Sequence, residues 1–167
     1  MKPRHLASRF VRALWPGPPR TADLDWVESV LTPAELALWR RLPNHDRRYS
    51  IRVARHVQRA LAGTEYDDPD WAAVALLHDI GKLGAGLGVA GRTLATVAGI
   101  VRPRTRESSG RFGMYLRHDE LGAAMIRAAE GREEAAAWAD AHHHPERWVD
   151  SGVPRRVAEA LAAADDA

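Results

Sequence analysis

The chain reads as an all-α bundle of six to nine helices, and three features of the sequence carry that reading. Apolar residues recur at helical spacing, as in Tyr49, Val53, Val57, Ala60 and Leu61. Helix boundaries are marked, as in Thr32-Pro33-Ala34-Glu35, a capping box with proline at the first helical position. No segment is predicted to be a strand. At 167 residues and 46% apolar content, the chain is long enough to close a single core.

The elements follow in order. Residues 3–15 predict a basic amphipathic helix with Leu6, Phe10 and Leu14 on one stripe. Packing onto its own domain and lying on a membrane surface are the two roles open to it. Pro16-Gly17-Pro18-Pro19 breaks the chain. Residues 23–31 predict a short helix turning Trp26, Val27 and Val30 inward, and the capping box starts another that runs to about Leu42. A longer helix is expected over residues 45–62, stopped by Gly63. Residues 81–91 are rich in glycine and lack P-loop spacing, so they read as a flexible loop. Further helices are expected over residues 92–101, 118–129, 132–141 and from Pro154 onward, with a polar loop over 102–113. The division is into N-terminal helices over 1–44, packed on a bundle over 45–167.

Composition narrows the function. Cysteine is absent, which excludes thiolate zinc sites, disulfides and cysteine nucleophiles and fits a cytoplasmic protein. The net charge of +2 points to no specific nucleic-acid partner. No apolar run reaches the length of a membrane span, and Lys2, Arg4 and Arg9 interrupt any signal-peptide core. The oligomeric state is left open.

The stretch with most chemistry is residues 68–82, DPDWAAVALLHDIGK. Asp68 suits a cap, Pro69 a first helical position, and Asp70 the positive end of the helix dipole. Seven apolar residues then run without a break, a pattern that demands cover on all sides. His78 and Asp79 follow at the buried end, then Gly81 as a helix stop and Lys82. An imidazole beside a carboxylate suits a divalent metal. A polar helix cap is the alternative account.

The string ALLHDIGK resembles the signature of the HD-domain superfamily of metal-dependent phosphohydrolases. The resemblance implies an all-helical HD-domain fold in which the His-Asp pair ligates one or two metal ions, with further histidines and a late aspartate. It runs from Tyr49 to Asp165. Tyr49-Ser-Ile-Arg-Val-Ala-Arg55 stands where the family's first helix has its ligand histidine, so Tyr49 departs from the pattern. His45 and His56 lie on roughly the same face, and either is open as a substitute. His118-Asp119-Glu120-Leu121-Gly122 is similar to the HPxxG element of binuclear members, with Gly122 permitting a close approach. His142-His143-His144-Pro145 and the following ERWVDSGVP loosely resemble the HD-GYP block of cyclic-dinucleotide phosphodiesterases, with Pro145 inserted and Val153 in place of tyrosine. That block offers His143 and His144 as ligands. Asp165 continues the Val157–Leu161 stripe and matches the family's last ligand.

The resemblance therefore implies a metal-dependent phosphohydrolase acting on a nucleotide or other phosphoester through a metal-activated hydroxide. His78, Asp79 and Asp165 would hold one ion. Asp79, His118, His143 and His144 would hold a second, with Tyr49 or His45 as an added metal or water ligand. Mn, Fe, Zn, Co and Mg all suit such donors. Asp79 and Lys82 would be catalytic. Lys82, Arg104, Arg106 and Arg111 are the candidates for substrate phosphate. The competing reading, raised by Tyr49, is a degenerate, non-catalytic module that binds a nucleotide or a protein partner.

Overall fold

The computed structural model describes residues 17–167, and the helix expected over 3–15 lies outside them. Among the described residues there are ten α-helices and no strand. They are α1 (Thr21–Val30), α2 (Pro33–Trp39), α3 (Asn44–Leu61), α4 (Asp70–Leu77), α5 (Lys82–Ala85), α6 (Val89–Val101), α7 (Arg111–Leu116), α8 (His118–Ala128), α9 (Glu133–Ala141) and α10 (Arg155–Asp165). Two 3-10 turns, Pro103–Glu107 and Pro145–Ser151, join α6 to α7 and α9 to α10. Ten exceeds the six to nine expected because α5 and α7 lie in the glycine-rich and arginine-rich stretches that read as loops. Helices of four and six residues are too short to show an apolar period.

Helix α4 is the centre of the bundle. Its residues from Ala72 to Leu77, and Ile80 beyond them, have no exposed surface. The unbroken apolar run is met on several sides: by α3 and α9 along its flanks and by α1 and α2. Asp68 accepts a hydrogen bond from the Asp70 N–H at 2.8 Å and so caps the helix start. Helix α10 lies on α3, α8 lies on α9, and α5 to α7 form an outer layer against α8.

The capping box forms as predicted, with Thr32 Oγ1 accepting from the Glu35 N–H and Glu35 Oε2 accepting from the Thr32 N–H. Glu35 is only 1% exposed and has a second task. Arg132, at the start of α9, donates to both its oxygens and also reaches Asp70, which ties α2, α4 and α9 at one end. A buried carboxylate is tolerated only with such partners. On the opposite side Arg92 of α6 forks onto Asp46 of α3, two bonds of 2.7 Å that anchor the outer layer.

Gly81 proves to be a contact point. Its φ is −64°, an ordinary helical value, so the backbone there does not require glycine. A Cβ on Gly81 would lie 1.9 Å from the His118 carbonyl oxygen and 2.6 Å from the Gly122 nitrogen. The turn after α4 and the first turn of α8 thus meet backbone to backbone. Gly81→Ala is expected to destabilise the fold by about 1–3 kcal/mol or more, read as a lowered midpoint in thermal or denaturant unfolding. An unchanged midpoint would contradict this contact.

Candidate metal centre

The site forms where α4, α8, α9 and α10 converge. His78 and Asp79 continue the last turn of α4, His118 opens α8, His142 and His143 follow α9, and Asp165 ends α10. His78, Asp79, His118 and His142 are all buried, whereas His143 is exposed. His143 is therefore the member of the group that faces solvent, while a small cavity beside the centre is lined by His78, Trp138, His142, Leu161 and Asp165.

Three of the rings are oriented in the same way. His78 Nδ1 lies 2.8 Å from the Ala75 carbonyl oxygen, His118 Nδ1 2.8 Å from that of Tyr115, and His142 Nδ1 2.8 Å from that of Ala139. A carbonyl oxygen only accepts, so each Nδ1 carries a proton and each Nε2 points inward; His142 presents a lone pair there, whereas His78 in the metal-free protein carries a second proton between two carboxylates. Each bond reaches back three residues within its own helical turn. Metal-binding histidines are held in this manner.

The inward nitrogens surround the Asp79 carboxylate. Its Oδ1 is 3.4 Å from His118 Nε2 and 3.9 Å from His142 Nε2. Its Oδ2 is 3.4 Å from His78 Nε2 and accepts a hydrogen bond from Lys82. His143 Nε2 stands 3.1 Å from His118 Nε2, so two ring nitrogens face one another where only a proton or a shared cation reconciles them. The ligand atoms of His118, His142 and His143 all lie within 4.8 Å of one another. Nε2 of His78 and of His142 are buried without a hydrogen-bond partner. Orphaned buried nitrogens beside a carboxylate fit a divalent ion. Three imidazoles and one carboxylate suit Zn, Fe, Co or Mn better than Mg.

Asp165 lies beside His78, with Oδ1 3.3 Å from Nε2. Tyr49, across from α10 on α3, donates its hydroxyl to Asp165, 2.5 Å from Oδ1 and 2.7 Å from the carbonyl oxygen. Asp166 is exposed.

His144 faces elsewhere. Its Nε2 is 3.1 Å from Asp119 Oδ2 and its Nδ1 3.4 Å from Glu146. His142 points into the centre in its place. The α9 core stripe of Ala135, Trp138 and Ala139 reaches position 142 at helical spacing, a signal that favours His142. His45 sits 3.4 Å from Asp46, beside the Arg92 fork. Arg106 is bonded to Asp119, Glu120 and the Leu116 carbonyl, and Arg111 to the carbonyls of Ala85 and Gly86. Arg104 is exposed. Tyr115, which the motifs did not single out, stacks on the His118 ring at 5.6 Å.

Charge follows this geometry. Burial works against a charged Asp79, but the Lys82 ammonium and the His78 ring outweigh it and hold the carboxyl well below its usual range. Burial likewise opposes a charge on His78, and the Asp79 carboxylate with the Asp165 contact overcomes it, raising the ring to about 10. His142 goes the other way. Burial, reinforced by His143 and His78, pushes it down to about 3, and loss of water from the one edge of the otherwise exposed His143 ring that abuts His118 pushes that ring down to about 4. Both rings are therefore neutral at neutral pH, the form in which an imidazole can hold a metal.

The helices of this bundle turn histidines and a buried carboxylate toward one point, an arrangement that could hold a metal ion. The family model for the HD domain matches residues 49–166, and the chain belongs to that family, whose members are generally metal-dependent hydrolases. Neither a curated protein nor a solved structure matches the chain. Among the described residues no single helix is long and apolar enough to cross a membrane.

The geometry separates the adjacent histidines. His142→Ala is expected to lower metal affinity at least about tenfold, and His144→Ala to leave it near the wild-type value, as measured by competition with a chromogenic chelator. Equal losses would contradict this arrangement.

The metal-free protein should also be acid-sensitive. The folded-state pKa of His142, about 3, lies below its ordinary 6.5, so the unfolded chain binds the extra proton between these values. The stabilising effect is complete above pH 6.5 and is lost as pH falls toward 3, by at most about 1.4 kcal/mol per pH unit for this one group. His78 acts in the opposite sense, losing its contribution as pH rises from 6.5 toward 10. Melting of the chelated protein should therefore peak near neutrality, and His142→Gln should flatten the acid limb.

Proposed function

We propose that this chain is a metal-dependent phosphohydrolase acting on a nucleotide or another small phosphoester. The observation that carries the reading is the convergence of the buried Nε2 atoms of His78, His118 and His142 on the two oxygens of Asp79. Membership of the HD family supports it.

Asp79 would hold an ion through Oδ1 together with His118, His142 and His143. His78 and Asp165 stand on the Oδ2 side. A divalent ion there supplies a water of lowered pKa and neutralises charge on phosphoryl oxygens. The residues of the chain do the rest. The Nδ1 bonds keep the rings from swinging, so the donors need no reorganisation when substrate arrives. The surrounding apolar residues of α4 exclude water and strengthen each charge contact. Lys82 steadies Asp79 and, half-buried beside it, offers its ammonium to a phosphoryl oxygen. The exposed His143 marks the side from which substrate enters.

A second reading, a binding module without turnover, draws on the Tyr49 hydroxyl held by Asp165. One experiment separates the two. The protein reconstituted with Mn, Fe, Co or Zn is screened against nucleotides and generic phosphoesters. Hydrolysis that is abolished by chelation and reduced at least about 100-fold in Asp79→Asn supports the enzyme. Metal and nucleotide binding without turnover on any substrate supports the module.

A further inference from the structure

Asp79 divides the centre into two halves of unequal quality. On the Oδ1 side stand His118, His142 and His143, three imidazole donors whose ligand atoms fall within 4.8 Å of one another. Asp79 Oδ1, 3.4 Å from His118 Nε2 and 3.9 Å from His142 Nε2, is the carboxylate that would join them as a fourth donor. Among the described residues the further donors on the Oδ2 side are His78 and Asp165, and both carboxylates there already have a partner that donates a proton to them. Lys82 bonds Asp79 Oδ2. The Tyr49 hydroxyl bonds Asp165 Oδ1 at 2.5 Å and the Asp165 carbonyl oxygen at 2.7 Å.

A phenol that keeps its proton near neutral pH offers Asp165 a hydrogen bond and is a poor ligand for a metal. An ion on the Oδ2 side would compete with the Lys82 ammonium for Asp79 and with the proton between His78 and the two carboxylates, and would find a tyrosine where a further nitrogen donor is needed. An ion on the Oδ1 side displaces nothing but the proton or repulsion between His118 and His143.

We propose that this chain binds a single metal ion, held by Asp79, His118, His142 and His143, and that Tyr49 in place of a nitrogen donor, with Lys82 on Asp79, leaves the other half of the centre too poor in donors for a second ion. Asp165 then serves as a clamp between α3 and α10, and the Lys82 ammonium supplies the positive charge on the Oδ2 side that a second ion would bring. The inference rests on the metal-dependent reading above and assigns the number and place of its ions.

The test is metal content, which needs no substrate. The full chain is reconstituted with Mn(II), Co(II) or Zn(II), freed of excess ion and measured by elemental analysis, with Mn(II) electron paramagnetic resonance as a second readout. The wild type should hold one ion and show the hyperfine pattern of an isolated Mn(II). His143→Ala, an exposed position, should lose it, and Asp165→Asn should keep it. Tyr49→His should take up a second ion and give the coupled spectrum of a pair. Two ions or a coupled spectrum in the wild type would overturn the single-ion inference and leave the hydrolase reading in place. Loss in Asp165→Asn with retention in His143→Ala would overturn it too, as would a folded Tyr49→His that still holds one ion. No ion in the wild type under any condition would overturn this inference and the metal-dependent reading together.

Discussion

The rest of the molecule depends on one buried charge, the carboxylate of Asp79. It is 5% exposed, just beyond a helix whose residues from Ala72 to Leu77 touch no solvent. A lone carboxylate in such a place is costly, and the cost is met only by partners that bring positive charge or donor nitrogens. Lys82 comes from the same turn, His78 from the preceding residue, His118 from α8 and His142 from the end of α9. The packing of four helices is thus directed at one group. An apolar residue at position 79 would relieve the cost, but the inward histidines would then have no anion to surround.

The precision of the centre comes from two kinds of constraint acting at different ranges. Each of the three inward rings is set by a bond to a carbonyl three residues back, so its orientation belongs to its own turn of chain. The distance between turns is set by backbone contact. The close approach of Gly81 to His118 and Gly122 places α8 against the end of α4, and no side chain stands between them to vary the gap. His118 and Asp79 face each other because of that contact. Arg132 on Glu35 and Arg92 on Asp46 then lock the surrounding helices at opposite ends.

The Tyr49–Asp165 pair works across the longest reach, joining residues 116 apart in sequence. Where a histidine at position 49 would add a nitrogen to the Oδ2 side, tyrosine adds a hydrogen bond to its carboxylate. The fold around this ring stays that of an HD domain.

Much of this is written locally in the chain. Helical spacing and the Thr32–Glu35 box determined the all-α class, since both depend on contacts within a turn or two. The apolar run before His78 and Asp79 determined that this pair would end a buried helix, and the Val157–Leu161 stripe placed Asp165 inward beside His78. Other matters were decided only by tertiary packing. Which of three adjacent histidines turns inward depends on how α9 ends against α4 and α8. His142 continues the helix with its ring inward, whereas His144, off the helix at φ −126° and ψ 79°, swings to Asp119. The arginines of the 102–111 stretch read as free to meet phosphate, but Arg106 and Arg111 are taken up by Asp119 and by the carbonyls of α5. The short helices α5 and α7 carry no period and form against neighbours. The partner of Tyr49 was beyond reach for the same reason: hydrogen bonds within a turn are encoded by the residues of that turn, but a bond between α3 and α10 exists only once the whole core has set their distance and rotation.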